Sequence, residues 1–302
     1  MEPKLKQVVA NNHDHRERIK VCDGKILMVQ HLEGHQHIMR IECPKIAEQS
    51  KPGNFIHIKC GYELAMRRPM SVMRVSQREG WVEVLFKAVG KGTDLLALKE
   101  VGASVNILGP IGVPFKLSGY RKKPILIGGG VGIPPMIYLA EHLKKNMHID
   151  PLVLMGSEIP FPFPLKPSQI ITTLVPNDVI ASMPLLEDWA ICSRLASNSG
   201  YAGCYHGFVT DLARFAINAS ASSKNDIELF ACGPTAMLEV VQLLAAQYEL
   251  PCQISLEEHM ACAVGGCAGC AVEIDTTAGR SMKRVCVDGP VFEASTVVFS
   301  ET

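Results

Sequence analysis

The chain has 302 residues, 47% of them hydrophobic and 20% charged, which is enough for two or three globular domains. Its 30 basic and 30 acidic residues cancel, which argues against nucleic acid or an anionic membrane as the principal partner. The opening stretch MEPKLKQVVANNHDHRERIK lacks the apolar centre of a signal peptide. The longest uncharged run, residues 124–140, falls short of the roughly 20 apolar residues a spanning helix needs, so the expected location is cytoplasmic and off the membrane.

Residues 1–17 form a charged tail, expected to be poorly ordered. From 18 to 118 the chain reads as short strands (26–29, 37–41, 55–59, 71–75 and 81–87) separated by Gly, Asp or Pro, a pattern of antiparallel β-barrels and sandwiches. Arg67-Arg68-Pro69-Met70-Ser71 heads one strand. Its proline cannot donate to a ladder and must sit at a strand start or edge. Arg68 could grip a phosphate with its forked donors and Ser71 could bond a ring edge; an exposed basic pair is the plainer explanation. Gly90-Lys91-Gly92-Thr93 precedes a helix predicted to start at Thr93. Glycine-bearing helix starts bind phosphate, although a simple turn and cap explain the same residues. A flavin nucleotide, which has both a ring system and a pyrophosphate, would unite the two features.

From 119 to 250 strands alternate with helices, as in an open, parallel α/β sheet. A buried strand at 124–127 runs into Gly128-Gly129-Gly130-Val131-Gly132-Ile133-Pro134-Pro135 and a helix over 136–145. That is the layout of a phosphate-binding crossover. Ile133 breaks the strict G-x-G-x-x-G fingerprint, and no Lys-Ser/Thr pair marks a P-loop. The turn is either a dinucleotide site of another kind or a tight connection. A second strand, 152–155, ends at Gly156-Ser157-Glu158. The acidic Glu158 suits a free ribose hydroxyl, which favours NADH over NADPH. Residues 159–205 begin with the proline-rich IPFPFPLKP. A third strand, 227–231, leads into Cys232-Gly233-Pro234-Thr235 and a helix over 236–248. Cys232 lies at a strand's carboxyl end, where such sheets bind ligands, and is the candidate catalytic residue; a small buried hydrophobe is the alternative.

The last stretch, 251–302, carries Cys262-x4-Cys267-x2-Cys270-x15-Cys286. This is the plant-type spacing for a [2Fe–2S] cluster, three ligands coming from one loop and the fourth from a later strand. Gly265, Gly266 and Gly269 let backbone N–H groups approach the sulfurs. A hairpin pairing 271–274 with 284–287 is expected to bring Cys286 back to the loop. Four-thiolate zinc is the alternative, but only one C-x2-C pair exists. An odd total of 11 cysteines without a secretory signal argues against disulfides.

Together, Arg68-Pro69-Met70-Ser71, Gly92-Thr93, the glycine turn at 128–135 and Cys232-Gly233-Pro234 resemble the ferredoxin–NADP reductase superfamily. Adding Ser255-Leu256-Glu257, Met260-Ala261-Cys262 and the four cysteines, the chain resembles the electron-transfer subunits of two-subunit, NAD-linked dihydroorotate dehydrogenases over roughly residues 18–295. The resemblance implies FAD contacts at Arg68, Pro69, Met70 and Ser71, completed by Leu85, Phe86, Lys87, Gly92 and Thr93. It also implies cluster ligation by Cys262, Cys267, Cys270 and Cys286, and electron exchange with the FMN of a catalytic subunit in a heterotetramer serving pyrimidine biosynthesis. The same module could serve another partner, as in an NADH-dependent ferredoxin:NADP oxidoreductase or a hydrogenase-type complex. Ala263 departs from the family pattern, which has glycine after the first cysteine, and 159–204 is longer than the family leads one to expect.

Overall fold

Apolar residues alternating with polar ones build the first unit. The computed structural model describes residues 17–61, 63–117, 119 and 121–299, so the expected tail lies almost wholly outside the described residues. In chain order the unit comprises β1 (Lys20–Leu32), β2 (Gln36–Glu42), α1 (Pro44–Gln49), β3 (Phe55–Lys59), β4 (Arg68–Ser76), β5 (Trp81–Lys87), α2 (Lys91–Ala97) and β6 (Ser104–Ile111). The strands close into a barrel in the order β1-β2-β5-β4-β3-β6, with every neighbouring pair antiparallel. Ile26, Met39, Ile41, Ile56, Ile58, Val72, Val82, Val84 and Ile107 fill its interior.

Two local features depart from the expected pattern. β6, which is not among the expected strands, carries Gly109 and Pro110, and pairing with both β1 and β3 holds it as a strand. Helix α2 starts at Lys91, not Thr93. Thr93 is its third residue, and its hydroxyl accepts from the N–H groups of Val89 and Gly90 at 2.9 and 3.2 Å. The capping chemistry was legible; the residue it reaches back from was not.

The second unit contains β7 (Lys123–Gly129), α3 (Ile133–Leu143), β8 (Leu152–Gly156), β9 (Lys166–Pro167), β10 (Ala181–Ser182), α4 (Pro184–Asp188), β11 (Cys192–Ala196), α5 (Val209–Ala219), β12 (Ile227–Cys232), α6 (Thr235–Tyr248), β13 (Cys252–Ser255), β14 (Ala271–Thr276), β15 (Gly279–Arg284) and β16 (Val291–Glu293). Its main sheet has the order β11-β8-β7-β12-β13-β16, parallel except for the last pair. Helix α3 begins three residues before the predicted start, with Pro134 and Pro135 in its first turn, where a missing N–H costs nothing.

The long segment 159–205 supplies β11, an edge strand that the polar-looking Cys192-Ser193-Arg194 concealed; Ser193 and Arg194 are buried. β13 and β16 extend the sheet across residue 251, and the cysteine loop and the β14–β15 hairpin project between them. The hairpin's second strand ends at Arg284, so Cys286 stands in the turn beyond it. Val285, Cys286 and Val287 are drawn into the core instead of the ladder. Among the described residues no helix is long and apolar enough to cross a membrane.

Candidate functional site

At the mouth of the barrel a cleft of about 540 Å³ is lined by Arg68, Pro69, Met70, Ser71, Leu85, Phe86, Lys87 and Thr93. The start of β4 supplies the first four and the end of β5 the next three. Gly92 lies behind Arg68: a Cβ there would come within 2.8 Å of Arg68 Nε, so glycine sets the position of the guanidinium. Among the described contacts that guanidinium donates only to the main-chain carbonyls of Met66 and Arg67. With no carboxylate holding it, it is available to an anion. A ring-and-pyrophosphate ligand therefore fits a slot with apolar walls (Met70, Leu85, Phe86) and a cation at one end.

Residues 255–260 form the opposite wall. Sequence reasoning gave them no cofactor role. Glu257 faces this cleft and, on its other side, a groove of about 520 Å³ between α6 and the β14–β15 hairpin. The residue is exposed to the cleft, while packing of its carboxyl against the sheet end raises its pKa, partly offset by the Cys232 thiol 3.9 Å away. Cys232 itself is fully buried and lines neither cleft; burial, then the Glu257 carboxylate, hold its thiol protonated. His57, also fully buried, lies beside the main chain of Met260 with neither ring nitrogen in full hydrogen-bonding geometry.

A second cleft, about 590 Å³, lies over the carboxyl ends of the parallel strands and shares Leu85, Phe86, Lys87 and Val131 with the first. Gly129, Gly130, Glu158 and Pro234 line it. Gly130 has φ 52° and open space where a Cβ would stand, so the turn exposes backbone to the cleft. Gly128, Gly132 and Pro134 lie behind the surface. Gly132 is packed so tightly on the Cys232 carbonyl that a Cβ would come 2.1 Å from its oxygen, and Gly233 faces the outer groove. Glu158 accepts from Asn198 Nδ2 at 3.2 Å, and its carbonyl accepts from Ser199 Oγ at 2.8 Å. Ile159 and Phe208 also line the cleft, and Gln36 Nε2 ties the barrel to Pro160 O at 2.6 Å. Residues 207–210, which carried no signal of a site in the sequence, are cleft wall.

Cys262, Cys267 and Cys270 occupy one loop, which turns through left-handed backbone at Ala263 (φ 56°), Gly265 (φ 84°) and Ala268 (φ 54°). These turns aim N–H groups at sulfur. Gly266 and Cys267 donate to Cys262 Sγ at 3.3 and 3.4 Å, and Gly269 donates to Cys267 Sγ at 3.4 Å. Burial opposes ionisation of Cys262, but the N–H groups of Val264, Cys267 and Gly266, with the Cys267 thiol, lower it to about 7. Burial and the neighbouring Cys270 thiol push Cys286 up to about 12. Arg284 Nη1 pins the loop through Gly265 O at 2.8 Å.

The four sulfurs fall into two contacting pairs, Cys262 with Cys267 and Cys270 with Cys286. Among the described residues no three His, Cys, Asp or Glu side chains are already gathered around one point. Two thiol pairs with N–H groups directed at sulfur fit a two-iron cluster.

A family profile described as "Iron-sulfur cluster binding domain of dihydroorotate dehydrogenase B" matches residues 257–298. The chain is 31% identical over 282 residues to the dihydroorotate dehydrogenase B (NAD(+)) electron transfer subunit of Desulforamulus reducens, across 93% of this chain and 99% of that one. The chain belongs to this family. The subunit of the same name from Shouchella clausii is 30% identical over 91% of this chain and 98% of its own. Among solved structures, an NADH-dependent reduced ferredoxin-NADP oxidoreductase superposes with TM-score 0.73 at 24% identity, covering 92% of this chain and 90% of that one. Phthalate dioxygenase reductase gives TM-score 0.56 at 14% identity over 85% and 87% of the two chains. These structural likenesses are of fold: a barrel beside a parallel sheet. Within the family, Ala263 takes up the left-handed conformation that glycine would adopt without strain.

Proposed function

We propose that this chain is an electron relay between NAD(H) and the FMN of a catalytic dihydroorotate dehydrogenase subunit, working in the cytoplasm as one half of a heterotetramer. The observation that carries the proposal is continuity. The second cleft shares the end of β5 with the first, and the first is walled by Met260, two residues before Cys262. A bound flavin supplies the exchange between two-electron hydride chemistry and the one-electron chemistry of an iron–sulfur cluster.

The chain's own residues bind and orient. Arg68 neutralises the pyrophosphate, Met70, Leu85 and Phe86 form the dry walls of the ring site, and Ser71 and Lys87 offer polar contacts at its edge. Glu158 and Ser157 meet the nicotinamide nucleotide's ribose hydroxyls, while Gly129 and Gly130 let it approach the backbone. Cys262, Cys267, Cys270 and Cys286 hold the cluster, and the loop's N–H groups stabilise charge on sulfur. By this division, residues 18–118 form the FAD-binding barrel, 119–250 the NAD-binding region and 251–302 the cluster-bearing segment.

The test is a visible spectrum of protein purified without oxygen, before and after NADH. Flavin bands with broad cluster absorption, both bleaching on addition of NADH, are expected. A flavin spectrum without cluster absorption would end the relay reading.

A further inference from the structure

Beyond the four cysteines assigned to the cluster, a second set of thiols meets in the wall of the barrel. Cys22 and Cys43 are both free, and their sulfurs stand 3.4 Å apart. Cys43 is buried, whereas Cys22 is partly open to solvent. Neither lines a cofactor cleft, and the relay proposed above makes no use of them.

The fold holds the pair from both sides. Cys22, Gly24 and Ile26 share one face of β1, because successive side chains of a strand alternate, and Ile26 belongs to the barrel core. Cys22 lies opposite Ile107 of β6 and Lys25 opposite Glu42 of β2, so both edges of this part of the strand are paired. Cys43 follows β2 directly and caps α1. Its N–H donates to Gly80 O at 2.8 Å, and its carbonyl accepts from the N–H groups of Ile46 and Ala47 at 3.0 and 2.8 Å. Gly24 keeps the space between them clear: a Cβ there would come within 2.6 Å of Cys43 Sγ. Disulfide sulfurs stand about 2.05 Å apart, so the gap left to close is about 1.4 Å.

We propose that Cys22 and Cys43 are a modification site that hydrogen peroxide converts into a reversible disulfide, joining β1 to the start of α1. Burial, then the Cys22 thiol, hold Cys43 protonated, and a buried protonated thiol is a poor first nucleophile. Cys22 therefore reacts first. Its sulfur attacks the O–O bond of the peroxide, giving a sulfenic acid on Cys22 and one water. The Cys43 sulfur then attacks the Cys22 sulfur and displaces the hydroxyl, which leaves as water with the Cys43 proton. Two thiols thus lose two electrons, and the peroxide is reduced to two waters. A dithiol reductant reverses the bond by exchange, so in a reducing compartment the pair rests as thiols. The bond closes a loop through the β1–β2 hairpin, which restricts the unfolded chain and favours the closed barrel.

The test uses the full protein, purified with its cofactors in the absence of oxygen. It is exposed to a few equivalents of hydrogen peroxide, quenched with iodoacetamide and digested with trypsin without reductant. Cleavage after Lys20, Lys25, Arg40 and Lys45 releases residues 21–25 and 41–45 as separate peptides. After peroxide these are expected to be joined, lighter than their sum by two hydrogens, and to separate on treatment with dithiothreitol. Alkylation of Cys22 falls at least tenfold. In Cys43→Ser the sulfenic acid has no thiol to meet, so Cys22 takes up dimedone instead; in Cys22→Ser, Cys43 remains a thiol through the same exposure. Recovery of both peptides alkylated and unjoined from treated wild-type protein overturns the proposal. So does Cys22 driven to the sulfinic acid without the link, or joined to a cysteine of the cluster loop. The wild-type map decides by itself should a serine variant fail to fold. It reads neither flavin nor cluster, so its outcome is independent of the relay.

Discussion

Left-handed backbone in the cysteine loop is unevenly matched to side chain. An L-residue there costs about 1–2 kcal/mol relative to glycine, partly offset by the extra freedom glycine loses on folding. Ala268 is exposed and has no packing to lose, so Ala268→Gly should stabilise the cluster-loaded protein by about 1 kcal/mol. Ala263 is 1% exposed, and removing its buried methyl sacrifices about 0.8 kcal/mol, so Ala263→Gly should be close to neutral. Denaturant midpoints compare the two; a larger gain at 263 would show that the methyl is not packed to advantage. His57 gives a pH-dependent counterpart. Burial, then Arg67, lower its pKa to about 4. Between that value and the ordinary 6.5 the unfolded chain binds a proton that the folded one refuses, so stability falls as pH drops across this window. The loss is on the order of 3 kcal/mol. His57→Gln should flatten the stability profile between those two pH values, and an unchanged slope would assign the acid sensitivity to other groups.

At the scale of elements, the turn before α2 and the head of β4 act as one device, because Gly92 and Arg68 are in contact across the barrel mouth. A methyl at residue 92 would push the guanidinium aside while leaving the barrel strands untouched. Gly92→Ala is therefore expected to lower FAD retention on gel filtration severalfold, approaching the loss in Arg68→Ala, with no fall in the protein's melting temperature before FAD loss. Full flavin content in both variants would remove Arg68 from the pyrophosphate site. The sequence disclosed both halves of this device, since Arg-Pro at a strand head and Gly-x-Gly before a helix have local signatures. It did not disclose that they meet, because that contact depends on the antiparallel register of β4 against β5, which sets the head of one beside the end of the other. β11 escaped for a related reason: Ser193 and Arg194 are buried by tertiary packing, against their polarity. The thiol ligands were legible because metal chemistry fixes their spacing; the wall at 255–260 was legible only as part of a family pattern, because no ligand spacing marks it as a cleft.

Over the whole molecule, each cofactor cleft is built from a different part of the chain, but the walls are shared. Leu85, Phe86 and Lys87 serve both clefts, whereas the cysteine loop touches the flavin cleft only through the short run that ends at Met260. Disturbing the cluster should therefore leave the hydride half of the relay assembled. Cys270 is buried and paired with Cys286, so serine there keeps the volume but replaces a thiolate by a hydroxyl that binds iron poorly. Cys270→Ser should lose the broad cluster absorption and the reduction of one-electron acceptors, while NADH still bleaches the flavin bands. β13 and β16, which carry the loop, belong to the main sheet and are held by partners outside the cluster, so the fold has its own support when the iron is gone. Loss of flavin reduction together with the cluster would mean that the loop braces the 255–260 wall of the flavin cleft, making the two centres one structural unit instead of two joined by a single strand end.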